Sequence, residues 1–186
     1  MIRAIGLVAS GLLATSAQAQ ELESWLARLR PGMWVKIELE RTLENVLKAS
    51  KVKAYTGELD EVTIESGVAA VDVSRLTVQT SIGLRVVASP STKMEGPKQQ
   101  RHLSPAFVAV GDRVKIAGQR QKDGSLLAEE IEIEGPTRPE GRLEGREVHE
   151  LTAPIESIDA AGRRLVVFGL VVELHVGTRI RSSLPD

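Results

Sequence analysis

One strand pattern occurs twice in this chain, and the order in which its pieces recur limits the folds available to it. Gly32-Met33-Trp34-Val35-Lys36-Ile37 matches Gly111-Asp112-Arg113-Val114-Lys115-Ile116 at an offset of 79 residues. The same offset runs on without a gap, so that Leu47 meets Leu126, Ala49 meets Ala128 and Val52 meets Ile131. What recurs is a turn glycine, an alternating strand, a polar loop and a second strand, which together describe a β-hairpin. The second copy turns on Lys122-Asp123-Gly124-Ser125, a strong two-residue signal; the first has Leu43-Glu44-Asn45-Val46, a less ideal turn.

A three-strand segment recurs as well. Val68-Ala69-Ala70-Val71-Asp72 resembles Ile155-Glu156-Ser157-Ile158-Asp159, and Leu76-Thr77-Val78 resembles Leu165-Val166-Val167. Gly83-Leu84-Arg85-Val86 resembles Gly169-Leu170-Val171-Val172, and Thr92-Lys93-Met94 resembles Thr178-Arg179-Ile180. Each piece is short, alternates with period two and is bounded by polar turns such as Asp159-Ala160-Ala161-Gly162.

Along the chain the order is hairpin (32–56), triplet (62–94), hairpin (111–135), triplet (150–181). The middle two make one continuous unit over 60–135, interrupted by residues 95–110, where Pro97 and Pro105 leave room for a short helix. Three strands, a connector and two strands is the order of an OB-type Greek-key barrel. The outer hairpin and the outer triplet would each leave open strand edges and half a core. Pairing 32–56 with 150–181 closes a second barrel; exchange between two chains would close it in a swapped dimer. The first arrangement needs only short linkers. The expected fold class is therefore all-β: two OB-like five-stranded Greek-key barrels, one inserted in the other, plus a short N-terminal helix, with 136–149 as a linker.

Ahead of the repeat, residues 1–19 have the form of a secretory signal peptide. Arg3 supplies the positive start, Ala4 to Ala14 is an uncharged apolar run, and Ala17-Gln18-Ala19 offers small residues for cleavage after Ala19. That run is too short to span about 30 Å of hydrocarbon, so no membrane span is expected. The chain has no cysteine, which excludes a lipoprotein anchor and disulfides, and the leader has no twin-arginine pair. The expected location is the bacterial periplasm or exterior. Residues 20–31 then read as a short helix with Leu22, Trp25, Leu26 and Leu29 on one face, stopped by Arg30-Pro31-Gly32. That face can cap an open barrel end or dock another protein.

Charge narrows the ligand classes. The formal charge is −1, and −2 once Arg3 leaves with the leader, so the basic excess that drives nucleic-acid binding is missing. Aromatic residues make up 3 % of the chain, too few for the stacking platforms that single strands require. No nucleic-acid partner is expected.

At this stage the residues point to a family. Val110-Gly111-Asp112-Arg113-Val114-Lys115-Ile116-Ala117-Gly118, followed by Asp123-Gly124-Ser125-Leu126-Leu127-Ala128-Glu129-Glu130-Ile131, resembles the bacterial exported domain of unknown function DUF5666. Ile155 to Asp159, Leu165 to Val167 and Thr178 to Ile180 resemble it too. The resemblance implies an OB-like β-barrel, often in tandem, in the cell envelope. It brings no catalytic or ligand residues with it, and the first hairpin departs from it by lacking the Asp-Gly turn.

Single residues give little chemistry. His102, His149 and His175 have no ligand spacing, and Met33 and Met94 are too few for a thioether site, so no metal or cofactor is expected. Asp72 and Asp159 recur at equivalent strand ends, where turn formation is the ordinary role of an aspartate. Lys36 and Lys115 should point outward between inward apolar neighbours. A basic stretch (Lys93, Lys98, Arg101, Arg113, Lys115, Arg120, Lys122) precedes an acidic one (Glu129, Glu130, Glu132, Glu134, then Glu140, Glu144, Glu147, Glu150); such polarity can orient a partner, but solvated faces that pair across the surface are the commoner reading. There is no Gly-x-Ser-x-Gly, no Gly-rich phosphate loop and no cysteine nucleophile. The expected function is an exported, non-catalytic binding or adaptor protein of the envelope, with another envelope protein as its partner. The alternative is a periplasmic small-ligand or ion-binding protein, and no catalytic, cofactor or metal residue can be assigned.

Overall fold

The computed structural model describes residues 8–96, 100–101, 108–136 and 147–182. Among the described residues one helix, α1 (Val8–Arg28), precedes thirteen strands. The first five strands are β1 (Trp34–Arg41), β2 (Leu47–Ala54), β3 (Val62–Asp72), β4 (Thr77–Thr80) and β5 (Arg85–Val87). There follow β6 (Lys93–Gly96), β7 (Gln100–Arg101), β8 (Asp112–Arg120) and β9 (Leu126–Pro136). The last four are β10 (Val148–Asp159), β11 (Arg164–Val167), β12 (Leu170–Glu173) and β13 (Arg179–Ser182).

Period-two alternation places the strands. In β1, Val35, Ile37 and Leu39 are buried while Lys36, Glu38 and Glu40 stay partly wet. In β8, Val114 and Ile116 are buried and Lys115 is exposed. Lys36 and Lys115 thus hold the outward positions expected of them. Lys36 pairs with Glu150 across β1 and β10, and that carboxylate holds the ammonium pKa above its ordinary value.

The strand pairs close two circuits. In one, β1 pairs with β2, β2 lies parallel to β12, and β11 and β10 lead back to β1. In the other, β8 pairs with β9, β9 lies parallel to β5, and β4 and β3 lead back to β8. The second circuit is one stretch of chain, and the first is made of the two pieces that flank it. Nesting is therefore the observed architecture: β1 runs beside β10 over seven residue pairs, from Trp34 against Pro154 to Glu40 against Val148.

Each barrel carries one further parallel strand, β13 on β2 and β6 on β9. The same staple holds both: Thr178 Oγ1 donates to the Ala49 carbonyl at 2.8 Å and Thr92 Oγ1 to that of Ala128 at 2.7 Å. In the connector 95–110 the end of β6 pairs with β7, while Pro97, Pro105 and most of the stretch with room for a short helix lie outside the described residues.

The barrels join where β3 meets β10, with Thr63 against Thr152, Ile64 against Leu151 and Glu65 against Glu150. Val68 and Ile155 are repeat equivalents, so the equivalent of Ile64 is Leu151 itself. The central pair is thus its own equivalent, and the junction is a pseudo-two-fold axis through two fully buried side chains. Arg120 of the inner barrel also pairs with Glu156 of the outer one and stacks on Phe168, 5.1 Å from the ring centre.

The helix differs from expectation at its start. It runs unbroken from Val8, through the expected cleavage point at Ala19, because the Ala- and Leu-rich leader holds strong helix formers and no proline. Its end agrees: Leu22, Trp25, Leu26 and Leu29 are buried, and Arg163 beyond β10 donates to Glu23 at 2.8 Å. The apolar face is therefore covered by the barrel core and does not stand free. Among the described residues, no helix is long and apolar enough to cross a membrane.

The first hairpin solves its missing glycine with Asn45, which takes φ 68° where the repeat places Gly124 at φ 82°. Asparagine tolerates this left-handed region better than other non-glycine residues. Asn45→Gly should leave urea stability within about 0.5 kcal/mol, while Asn45→Val should cost about 1–2 kcal/mol. Equilibrium unfolding of the two variants side by side checks this.

Candidate functional site

A cleft of about 960 Å³ opens on the outer barrel beside the junction. The end of β1 and its turn supply Arg41 and Glu44, β2 supplies Lys48, β10 supplies His149, and the last loop and β13 supply His175 and Arg179. Ser81 and Glu147 complete the wall nearest the inner barrel.

His149 sits in the inward phase of β10, ahead of Leu151 and Ala153, and is 1 % exposed. Its Nδ1 lies 3.0 Å from Oγ of Ser66, a fully buried residue of β3, so this hydrogen bond crosses between the barrels. Glu147 Oε1 approaches the same nitrogen at 3.8 Å. The Glu147 carboxylate fills the space above Gly67, where a Cβ would stand 2.1 Å from Oε1. Arg113 of β8 donates to the Val148 carbonyl at 2.8 Å and pairs with Glu65 at 2.7 Å and Glu134 at 3.2 Å. Arg41 reaches the other way, donating to the Ser81 carbonyl.

This Ser–His pair is not arranged for nucleophilic catalysis. A hydrolytic triad uses both ring nitrogens, one on the serine and the other on the carboxylate. Here the serine and the carboxylate converge on Nδ1, and Ser66 is closed to substrate. Its hydroxyl is also within reach of the Gly67 carbonyl at 3.2 Å. The arrangement fastens the two barrels.

Burial lowers the His149 pKa below the ordinary 6.5; Glu147 opposes the shift, and the Arg113 and Arg41 cations add to it. A histidine held neutral in the fold binds its proton more readily when unfolded, so stability falls as pH drops below 6.5 and is unaffected above it. We expect the urea midpoint to decline between pH 6.5 and pH 5, with a slope of up to about 1.4 kcal/mol per pH unit from this site. His149→Gln should flatten that segment of the curve; an unchanged slope would remove His149 as its cause.

The remaining sequence candidates are structural where they are described. Asp72 accepts from Ser74 Oγ at 2.6 Å and from the Arg75 amide at 3.1 Å, bonds that lower its pKa. Asp159 accepts from the Gly162 amide at 2.8 Å. Both build turns. Met94 is buried in the core and Met33 packs against it. No group of three or more His, Asp or Glu is gathered in metal-binding fashion among the described residues. His102, Lys98, Glu140 and Glu144 lie outside the described residues, as does most of the expected linker 136–149. The basic and acidic stretches meet in part, through Arg113 with Glu134.

Residues 63–132 match the family model of DUF5666, a domain of unknown function. The family recognised in the sequence is thus matched in the inner copy, from β3 to within β9. No curated protein and no solved structure matches the chain. The outer barrel repeats the strand circuit of the inner copy with its two segments exchanged in chain order. Sequence reasoning had weighed His149 and His175 only as metal ligands and had passed over Arg41, Ser66, Lys48 and Arg179 as site residues. The alternation around His149 was the available signal: it falls in phase with Leu151.

Proposed function

We propose that this chain is an exported, non-catalytic binding or adaptor protein of the bacterial envelope, built on two OB-like barrels. The observation that carries the reading is the Ser66–His149 pair, the one close serine–imidazole contact among the described residues, which serves to join barrels and not to attack a substrate. The OB-like assignment is supported by the strand order of each circuit, in which the third strand of the triplet lies parallel to the second of the hairpin. The leader-like residues 1–19 support export.

Two measurements test this. Cell fractionation with mass analysis should find the chain in the periplasm or medium, starting at Gln20; a chain found only in the cytoplasm with residues 1–19 intact overturns the export reading. Immobilised protein should then retain a defined envelope component under gentle conditions, and a monomer that retains none argues against the adaptor role.

A second reading, a small-ligand binder, is favoured by the cleft itself, whose 960 Å³ is of the size that ligand sites occupy.

A further inference from the structure

The repeat supplies an internal comparison, because the inner barrel has a cleft at the equivalent place, of about 380 Å³. There Ser89 stands for His175, Lys93 for Arg179, Leu127 for Lys48 and Glu129 for Ser50, with Glu130 beside them. The scaffold is the same, down to the threonine staple. What differs is the chemistry. Lys48 and Arg179 give the outer wall two cations and no acid at these positions, whereas the inner wall has one cation and, with Glu61, three acids.

The barrel itself does not require the outer set. In the inner turn the Ser89 hydroxyl accepts from the Ser91 amide at 3.3 Å. In the outer turn His175 Nδ1 accepts from the Gly177 amide at 3.1 Å. A hydroxyl therefore suffices for the turn, and the imidazole brings a second polar atom. Because Nδ1 accepts, the neutral ring carries its proton on Nε2 and can only donate from there. Lys48 has no ionic or hydrogen-bond partner among the described residues, and Arg179 makes only a 3.8 Å contact with Glu38. On the acidic side Glu147 stands 3.8 Å from the neutral His149 ring at the junction end of the cleft, Glu40 is engaged, and Glu44 lies on the exposed turn. The uncommitted donors at the Lys48–Arg179 end of the cleft are three, two of them charged.

We infer that the outer-barrel cleft binds the oxyanion group of a small ligand, a carboxylate or a phosphate, through Lys48, Arg179 and the Nε2–H of His175. The inference rests on the small-ligand reading of the cleft given above. Hydrogen bonds from cationic donors to such groups are the strong ones, and a guanidinium with an ammonium suits either geometry.

Calorimetric titration of the full mature chain at fixed salt and pH 7 tests it, with sodium phosphate, sodium citrate, calcium chloride and glucose as separate probes. Saturable binding of phosphate or citrate is expected, weakened at least tenfold by Lys48→Leu and by Arg179→Leu and less by His175→Ser. Lys93→Leu in the inner cleft should change nothing. All four positions are at the surface, and unchanged thermal midpoints will show that the variants fold. Phosphate or citrate binding that these variants leave intact overturns the inference. Calcium or glucose binding lost in the Lys48 variant, with neither anion bound, overturns the oxyanion class and keeps the cleft as a ligand site. If none of the four probes binds, both fall.

Discussion

Trp25→Ala should cost about 3–5 kcal/mol in equilibrium unfolding, the range for deleting a large buried aromatic side chain. Trp25 is 1 % exposed and shares its burial with Leu22, Leu26 and Leu29 along one face of α1. Its indole Nε1 is buried and has no hydrogen-bond partner, so the N–H contributes a desolvation cost and no bond. Trp25→Phe should therefore keep most of the stability, within about 1.5 kcal/mol of the parent, because it retains ring packing and removes the orphan donor. Paired urea melts check both. A Trp25→Ala cost below about 1 kcal/mol would mean that the helix does not contribute to the barrel core.

Gly118→Ala is the second large effect. A Cβ at Gly118 would stand 2.1 Å from the Leu127 carbonyl oxygen and 3.0 Å from the Ala128 Cα, and both atoms are backbone. No side chain can turn aside to relieve this contact. The position lies at a register shift between β8 and β9, where the strand bends and its partner backbone comes close. Overpacking of this kind typically costs 1–3 kcal/mol, and we expect about 2–3 kcal/mol with a loss of amide protection in β9. Gly57→Ala, at a position with open space around it, is the matched control. Equal costs for the two would refute the steric account.

Much of the architecture was legible because turn glycines, alternation and spacing are local and the repeat doubled each signal. Gly32 and Gly111, both with φ near 90°, mark the same turn in both copies. The order hairpin, triplet, hairpin, triplet then left few ways to satisfy every strand edge. The first hairpin shows how a signal disappears without the structure changing: Asn45 does the work of Gly124. The cleft was less legible, because its residues come from four separated strands and loops. Lys48, His149, His175 and Arg179 are ordinary polar residues in sequence, and their proximity depends on β2 lying next to both β1 and β13. Ser66 and His149 are 83 residues apart and meet only through the junction. The N-terminal helix was legible from its apolar face, and the apolar leader, itself a good helix former, joins it without a break.

The nested arrangement also dictates an order of assembly. Trp34 must find Pro154, a contact spanning almost the whole repeat, whereas every strand of the inner circuit lies within residues 62–136. Formation of the inner barrel draws residues 54 and 148 together and spares the outer strands the entropy of closing that loop through a free chain. The outer barrel is in this sense templated by the inner one. A lesion such as Gly118→Ala should therefore slow formation of β1–β10 contacts although it touches neither strand, while a lesion in β1 should leave inner-barrel formation at its own rate.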